Sequence, residues 1–256
     1  MKIGIRLAAP LLGAALLLSG GAARSASVGA QWATWDTNGD PKLPNAYSNA
    51  RDFYNIMGTF GHTKKFLSGD GNFWTGDLAD PMVSGSWDSS FSDNVNIYLF
   101  ETHGASDSAA YYYSPGHNNA VNGVTTSIAG TKINGTQWTK LGNKNLRIFN
   151  MITCHGLELT DLAHYDAAAD GIHMITGGDG LMYDISGRGF NYAFWGNLGL
   201  TVKQAWFNAS SSSERPVVMA YGVNSADAFN RRDHEKFNWS MARLGPRTYR
   251  AWSWIR

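Results

Sequence analysis

Two segments of the chain carry its clearest alternation. From Val95 to His103, the residues Val95, Ile97, Leu99, Glu101 and His103 fall on one face of an extended strand, with Tyr98 and Phe100 on the other. Apolar side chains on both faces predict a central strand covered from each side. The run Leu146 to Cys154 predicts another such strand, Gly171 to Thr176 a third, and Pro216 to Gly222 a last clear one. His62 to Leu67 reads as a short strand and Arg247 to Ile255 as an edge strand. Between them the spacing turns helical. Ala46, Ala50, Phe53, Tyr54 and Met57 share one face and predict a helix over 45–59. Leu157 to Ala169 predicts another, Gln137 to Leu141 a short one, and residues 187–207 a third, broken near Gly196 and Gly199. Ser68 to Asn94 and Ser210 to Ser213 read as loops, and Gly104 to Gly135 as a long polar excursion from the sheet. Strands alternating with helices imply an α/β fold on a largely parallel sheet. In such a fold the reactive site lies outside the carboxyl ends of the strands.

The amino terminus follows a different pattern. Lys2 and Arg6 precede an apolar stretch from Leu7 to Leu18, and small residues follow to Ser27. The stretch is shorter than the roughly 20 residues of a membrane span, so residues 1–26 read as a cleaved signal peptide. The protein is therefore expected to be secreted or periplasmic, with no stable membrane anchor after cleavage. Residues 27–256 are expected to form one domain, long enough for a single sizeable core. Net charge is +1 and charged residues make up only 16% of the chain, without any basic run, so a nucleic-acid partner has no support.

One cysteine in an exported chain has no internal disulfide partner, which leaves inert burial, pairing with another chain, or chemistry. Cys154 stands at the end of a predicted strand and is followed by His155-Gly156, while the strand before it ends in His103-Gly104. A thiol needs a nearby base to attack as thiolate, and His103 is the candidate. A helix opening at Leu157 would add positive potential near the sulfur.

The segments Thr102-His103-Gly104 and Thr153-Cys154-His155-Gly156 resemble those of the caspase-like cysteine peptidases, the group of caspases, gingipains, clostripain and legumain. The segment around Cys154 is similar to the Gln-Ala-Cys-x-Gly signature with Cys and Gly retained, and the separation of 51 residues (154 − 103) matches the interval of about 50 in caspases. The resemblance implies a three-layer sandwich with a mostly parallel central sheet and helices on both faces. It also implies a His103/Cys154 dyad, a thioester acyl-enzyme, and an oxyanion held by the backbone N–H groups of Gly104 and Cys154. A peptide or protein substrate is expected, and no cofactor or metal. Downstream, Asp170 to Gly177, Gly187 to Phe190 and Val202 to Trp206 resemble an exported bacterial family known only as a domain of unknown function.

Other residues have both plain and functional readings. Glu101 shares a strand face with His103 and could orient its ring, and His155 adjoins the nucleophile; both are accessory candidates. His173 reads as a satisfied buried histidine. His103, His117, Cys154, His155 and His164 lack the spacing of a usual zinc site. Asp36 to Asp40 begins like a calcium loop but has Pro41 where Gly belongs, so it reads as a turn. Trp32, Trp35, Trp74, Trp87 and Tyr111 to Tyr113 could pack beneath loops or stack on sugars. The alternative to a hydrolase is thus a secreted module that binds carbohydrate or protein and keeps Cys154 as a structural residue.

Overall fold

The computed structural model describes residues 25–34, 41–80, 86–107, 110–113, 120–121, 124–125, 131–133, 140–160, 162–238, 242–244 and 249–254. In chain order the elements are β1 (Ser27–Trp32), α1 (Ala46–Thr59), β2 (Thr63–Gly69), β3 (Ile97–Glu101), β4 (Gly104–Asp107), β5 (Ala110–Tyr113), β6 (Ala120–Val121), β7 (Val124–Thr125) and β8 (Thr131–Ile133). They continue as β9 (Ile148–Ile152), α2 (Ala163–Ala168), β10 (Met174–Gly178), α3 (Arg188–Asn197), α4 (Val202–Ala209), β11 (Pro216–Gly222), α5 (Ser225–His234) and β12 (Tyr249–Trp254).

Seven strands form one sheet in the order β12-β11-β10-β9-β3-β1-β2. The neighbours β2, β1, β3, β9 and β10 pair in parallel, whereas β11 pairs antiparallel with both β10 and β12. All five residues of β3, β9 and β10 are buried, as their apolar character on both faces predicts. One face carries Ile97, Leu99, Ile148, Ile152 and Met174 against Phe53 and Met57 of α1, Tyr192 of α3 and Trp206 of α4. The other carries Tyr98, Phe100, Phe149 and Met151 against Tyr165 and Ala168 of α2 and surrounding loops. The fold is thus mixed α/β, with helices on both faces of a mostly parallel sheet.

Where α1 and α3 cross, a side chain on Gly189 would place its Cβ 1.9 Å from the Asn49 carbonyl oxygen, so only glycine allows this approach. The predicted break after α3 falls at Leu198 to Thr201. There the Thr201 hydroxyl accepts from Gln204 N and the Gln204 side chain accepts from Thr201 N, a reciprocal cap that starts α4.

Several expectations are corrected. The predicted helix from Leu157 to Ala169 is confined to Ala163–Ala168, because residues 153–157 form a tight turn. The stretch after Gly104 is no plain excursion: β4, β5 and β8 form a small antiparallel sheet, and β6 pairs with β7. Of the short helix predicted over 137–141, residues 137–139 lie outside the described residues and Leu141 bridges to Ala169. Two elements carried too weak a pattern to predict: β1, which inserts between β2 and β3, and α5, which packs on β11 and β12.

Candidate active site at the ends of two central strands

β3 and β9 pair in parallel from Ile97 with Ile148 to Glu101 with Ile152, an offset of 51 residues throughout (148 − 97). The Thr102 amide donates to the Ile152 carbonyl at 3.1 Å, carrying the ladder one step past the last pair. His103 and Cys154 each stand two residues beyond the last pair, at the carboxyl ends of adjacent strands. Both are half-buried.

A locked turn holds Cys154. His155 adopts a left-handed backbone (φ 55°), which is uncommon outside glycine and persists only where the surroundings enforce it. Those surroundings are visible. The His155 amide donates to the Gly180 carbonyl at 2.6 Å and the Leu157 amide to Gly178 at 3.0 Å, tying the turn to the end of β10. The Tyr165 hydroxyl donates to the Gly156 carbonyl from α2. The Cys154 thiol donates to the Met182 carbonyl at 3.5 Å, a long contact to a weak donor.

The His103 ring meets the Pro41 carbonyl through Nε2 at 2.7 Å. A carbonyl only accepts, so Nε2 carries the hydrogen and, in the neutral ring, Nδ1 keeps its lone pair. Gly104 opens β4 in register with Tyr113 of β5, which anchors the backbone beyond the histidine. The helix expected at Leu157 is absent from that position: α2 begins at Ala163, six residues further on.

Glu101 and His155 are engaged elsewhere. The His155 ring pairs with Glu158 within its own turn. Glu101 is 1% exposed and lies beneath the rim against Asn49 and Asp184, near the Arg188 charge. Burial, reinforced by the Asp184 carboxylate, holds its carboxyl well above the usual range. The loop between β10 and α3 that carries Asp184 is pinned from three sides. The Asn45 amide donates to Asp184 Oδ2 at 2.9 Å, Asn49 Nδ2 donates to the Ile185 carbonyl at 3.0 Å, and buried Glu214 accepts from Tyr183 N and from Arg188.

Pro41, Met182, Asp184, Arg188 and Glu214 were not legible as site residues. Pro41 and Met182 act through backbone carbonyls, which leave no trace in sequence. The three charged residues come from segments distant along the chain. His173 is satisfied as expected: Nδ1 meets Glu235 at 2.6 Å and Nε2 the Ala242 carbonyl at 2.7 Å. Trp32 donates to Asp70 and meets Tyr47 at a 50° tilt, while Trp74 and Trp87 meet edge to face at 6.3 Å. His117, Trp35, Asp36 to Asp40 and the side chains of His164 and Tyr111 to Tyr113 lie outside the described residues. Among the described residues, no three His, Cys, Asp or Glu side chains converge to hold a metal, and no helix is long and apolar enough to cross a membrane.

No curated protein and no solved structure matches the chain. One family does, over residues 31–255, and its description assigns no activity. The chain belongs to the family described as a domain of unknown function, DUF6345.

Proposed function

We propose that the protein is an exported cysteine-dependent hydrolase of caspase-like architecture, cleaving peptide or related amide bonds with His103 and Cys154. The observation that carries this reading is the shared offset: the spacing between the two residues equals the register offset of the strands they follow. What supports it is that a thiol and an imidazole each follow the carboxyl end of a central parallel strand, the end at which such sheets hold their reactive groups. The fixed ring of His103 and the locked turn at Cys154 add the preorganisation that nucleophilic catalysis requires.

In this reading, His103 Nδ1 takes the thiol proton as sulfur leaves its long contact with Met182 and attacks the scissile carbonyl carbon. The carbonyl π electrons move onto oxygen, where the N–H groups of Cys154 and Gly104 would stabilise the charge. The Nε2–H bond to Pro41 holds the ring in place through this step. Collapse of the intermediate expels the amine, which takes the proton from His103, and leaves a thioester on Cys154. Water attacks the thioester with His103 again as base, releasing a carboxylic acid and restoring the thiol.

The test compares wild type with Cys154→Ala and His103→Ala against a mixed peptide library. Loss of cleavage by about a thousandfold or more in the cysteine variant is expected. Cleavage patterns equal to wild type would remove the nucleophile assignment.

A binding role has one observation of its own. Arg232, Trp252, Ser253 and Trp254 line a groove of about 420 Å³ at the sheet edge, with the two indole rings 4.8 Å apart and tilted by 30°. Quenching of tryptophan fluorescence by polysaccharide, in a protein that cleaves nothing, would favour that reading.

A further inference from the structure

Buried polar atoms almost always find a hydrogen-bond partner, so those that do not call for an explanation. Among the described residues ten buried side-chain atoms lack one, and five belong to a single cluster: both oxygens of Glu101, Oδ1 of Asp184, and Nε and Nη1 of Arg188. The donors nearby are only partly committed. Asn49 gives one of its two amide hydrogens to Ile185, and Arg188 spends Nη2 on Glu214. Glu214 is itself occupied by the amides of Tyr183 and Ser211. Two carboxyl groups, Glu101 from β3 and Asp184 from the loop before α3, lie side by side there, and of their four oxygens only Asp184 Oδ2 accepts a hydrogen bond, from the Asn45 amide. Two ionised carboxylates cannot share a dry site, whereas one proton between them gives each a partner.

We infer that Glu101 is a positioning residue acting as a neutral acid: a proton held between Glu101 and Asp184 ties the end of β3 to the loop whose Met182 carbonyl meets the Cys154 thiol. The charged groups facing the pair are Arg188 from α3 and, behind it, Glu214; α1 contributes only the uncharged Asn49. His103, two residues beyond Glu101, has its ring turned to Pro41. The positioning role rests on Cys154 being the reactive centre. The shared proton does not.

The sign of the stability effect separates this arrangement from an ion pair. A carboxyl that stays protonated in the fold binds its proton more tightly than in the unfolded chain. Its contribution is full below the ordinary carboxyl range and is lost as pH rises toward the folded-state titration. Glu101→Gln replaces the acid proton with an amide donor that does not titrate. Thermal unfolding of both proteins at pH 5 and pH 8 is the measurement. The melting temperature of Glu101→Gln relative to wild type should rise by about 4 °C or more between those values. A difference that is flat, or that turns against the variant as pH rises, would mean a charged Glu101 held by Arg188 and would end the inference. If Glu101→Gln does not fold, Asp184→Asn, which also leaves one neutral partner, must show the same trend.

The positioning role is read separately, from alkylation of Cys154 by iodoacetamide at pH 7. Glu101→Gln should label within about twofold of wild type, and Glu101→Ala, which unties the loop, about fivefold faster or more. Equal rates in Glu101→Ala and wild type would overturn the positioning role. None of these readouts involves peptide cleavage, so failure of the proposed hydrolase activity would be seen independently.

Discussion

Asp88 shows how far burial and like-charged neighbours together can move one carboxyl group. It is 2% exposed and pushed up to about 8, first by desolvation and then by neighbouring Asp93 and Asp80, with Lys144 opposing. Its Oδ1 has no hydrogen-bond partner. Above pH 8 it must therefore ionise in a dry site, a cost an amide avoids. Asp88→Asn should raise the melting temperature at pH 9, by an amount worth about 1–3 kcal/mol, and much less at pH 5. A variant destabilised equally at both values would show that the carboxylate is needed in its charged form. Gly156 poses a steric question instead. A Cβ there would sit 2.6 Å from Cγ2 of buried Thr153, so Gly156→Ala should cost about 1–3 kcal/mol in thermal unfolding and raise Cys154 alkylation as the turn opens. At this scale the sequence spoke clearly where a residue type is rare. A lone cysteine and a histidine at predicted strand ends stood out, and Glu101 could be assigned to the face of His103. The carbonyls of Pro41 and Met182 could not be found, because any residue supplies a carbonyl.

The elements divide according to the size of their side chains. β3 and β9 were readable because Ile, Leu, Phe, Tyr and Met alternate over several residues. β1 was not, although it lies between β2 and β3, because Ser-Val-Gly-Ala carries little apolar bulk. Its small size is what its place requires: a Cβ on Gly29 would fall 2.3 Å from the Phe66 ring. Gly29→Val should therefore displace that ring and lower stability by about 1–3 kcal/mol, measured by denaturant unfolding. α5 escaped notice because Ala228 is its only buried residue. The helix expected from Leu157 failed for a local reason. Apolar residues continue at helical spacing, but the amides of His155 and Leu157 are drawn to the carbonyls of Gly180 and Gly178, and the backbone turns instead. Helix α4 follows the break expected near Gly196 and Gly199. Replacing the Thr201 hydroxyl of its cap by Thr201→Ala should cost about 1 kcal/mol, and an unchanged melting curve would show the cap to be redundant.

For the molecule as a whole, buried acids set the response to pH. Asp77 and Asp93 are each raised to about 6, mainly by burial, alongside Asp88 at about 8 and Glu101 well above its usual range. Each binds protons more tightly in the fold than in the unfolded chain, so stability should decline from about pH 5 to pH 8. His62, lowered by burial, works in the opposite direction but is a single group. A melting temperature that rises steadily over this range would contradict the burial of these acids. Alternation, helical spacing and a rare nucleophile are properties of consecutive residues, and so the α/β class, the central strands and the two candidate reactive residues could be read from the chain alone. Register, the order of strands in the sheet, and the meeting of Glu101 with Asp184 and of His103 with Pro41 are relations between residues far apart along it. They depend on which surfaces exclude water together, and one-dimensional pattern carries no record of that until the chain has folded.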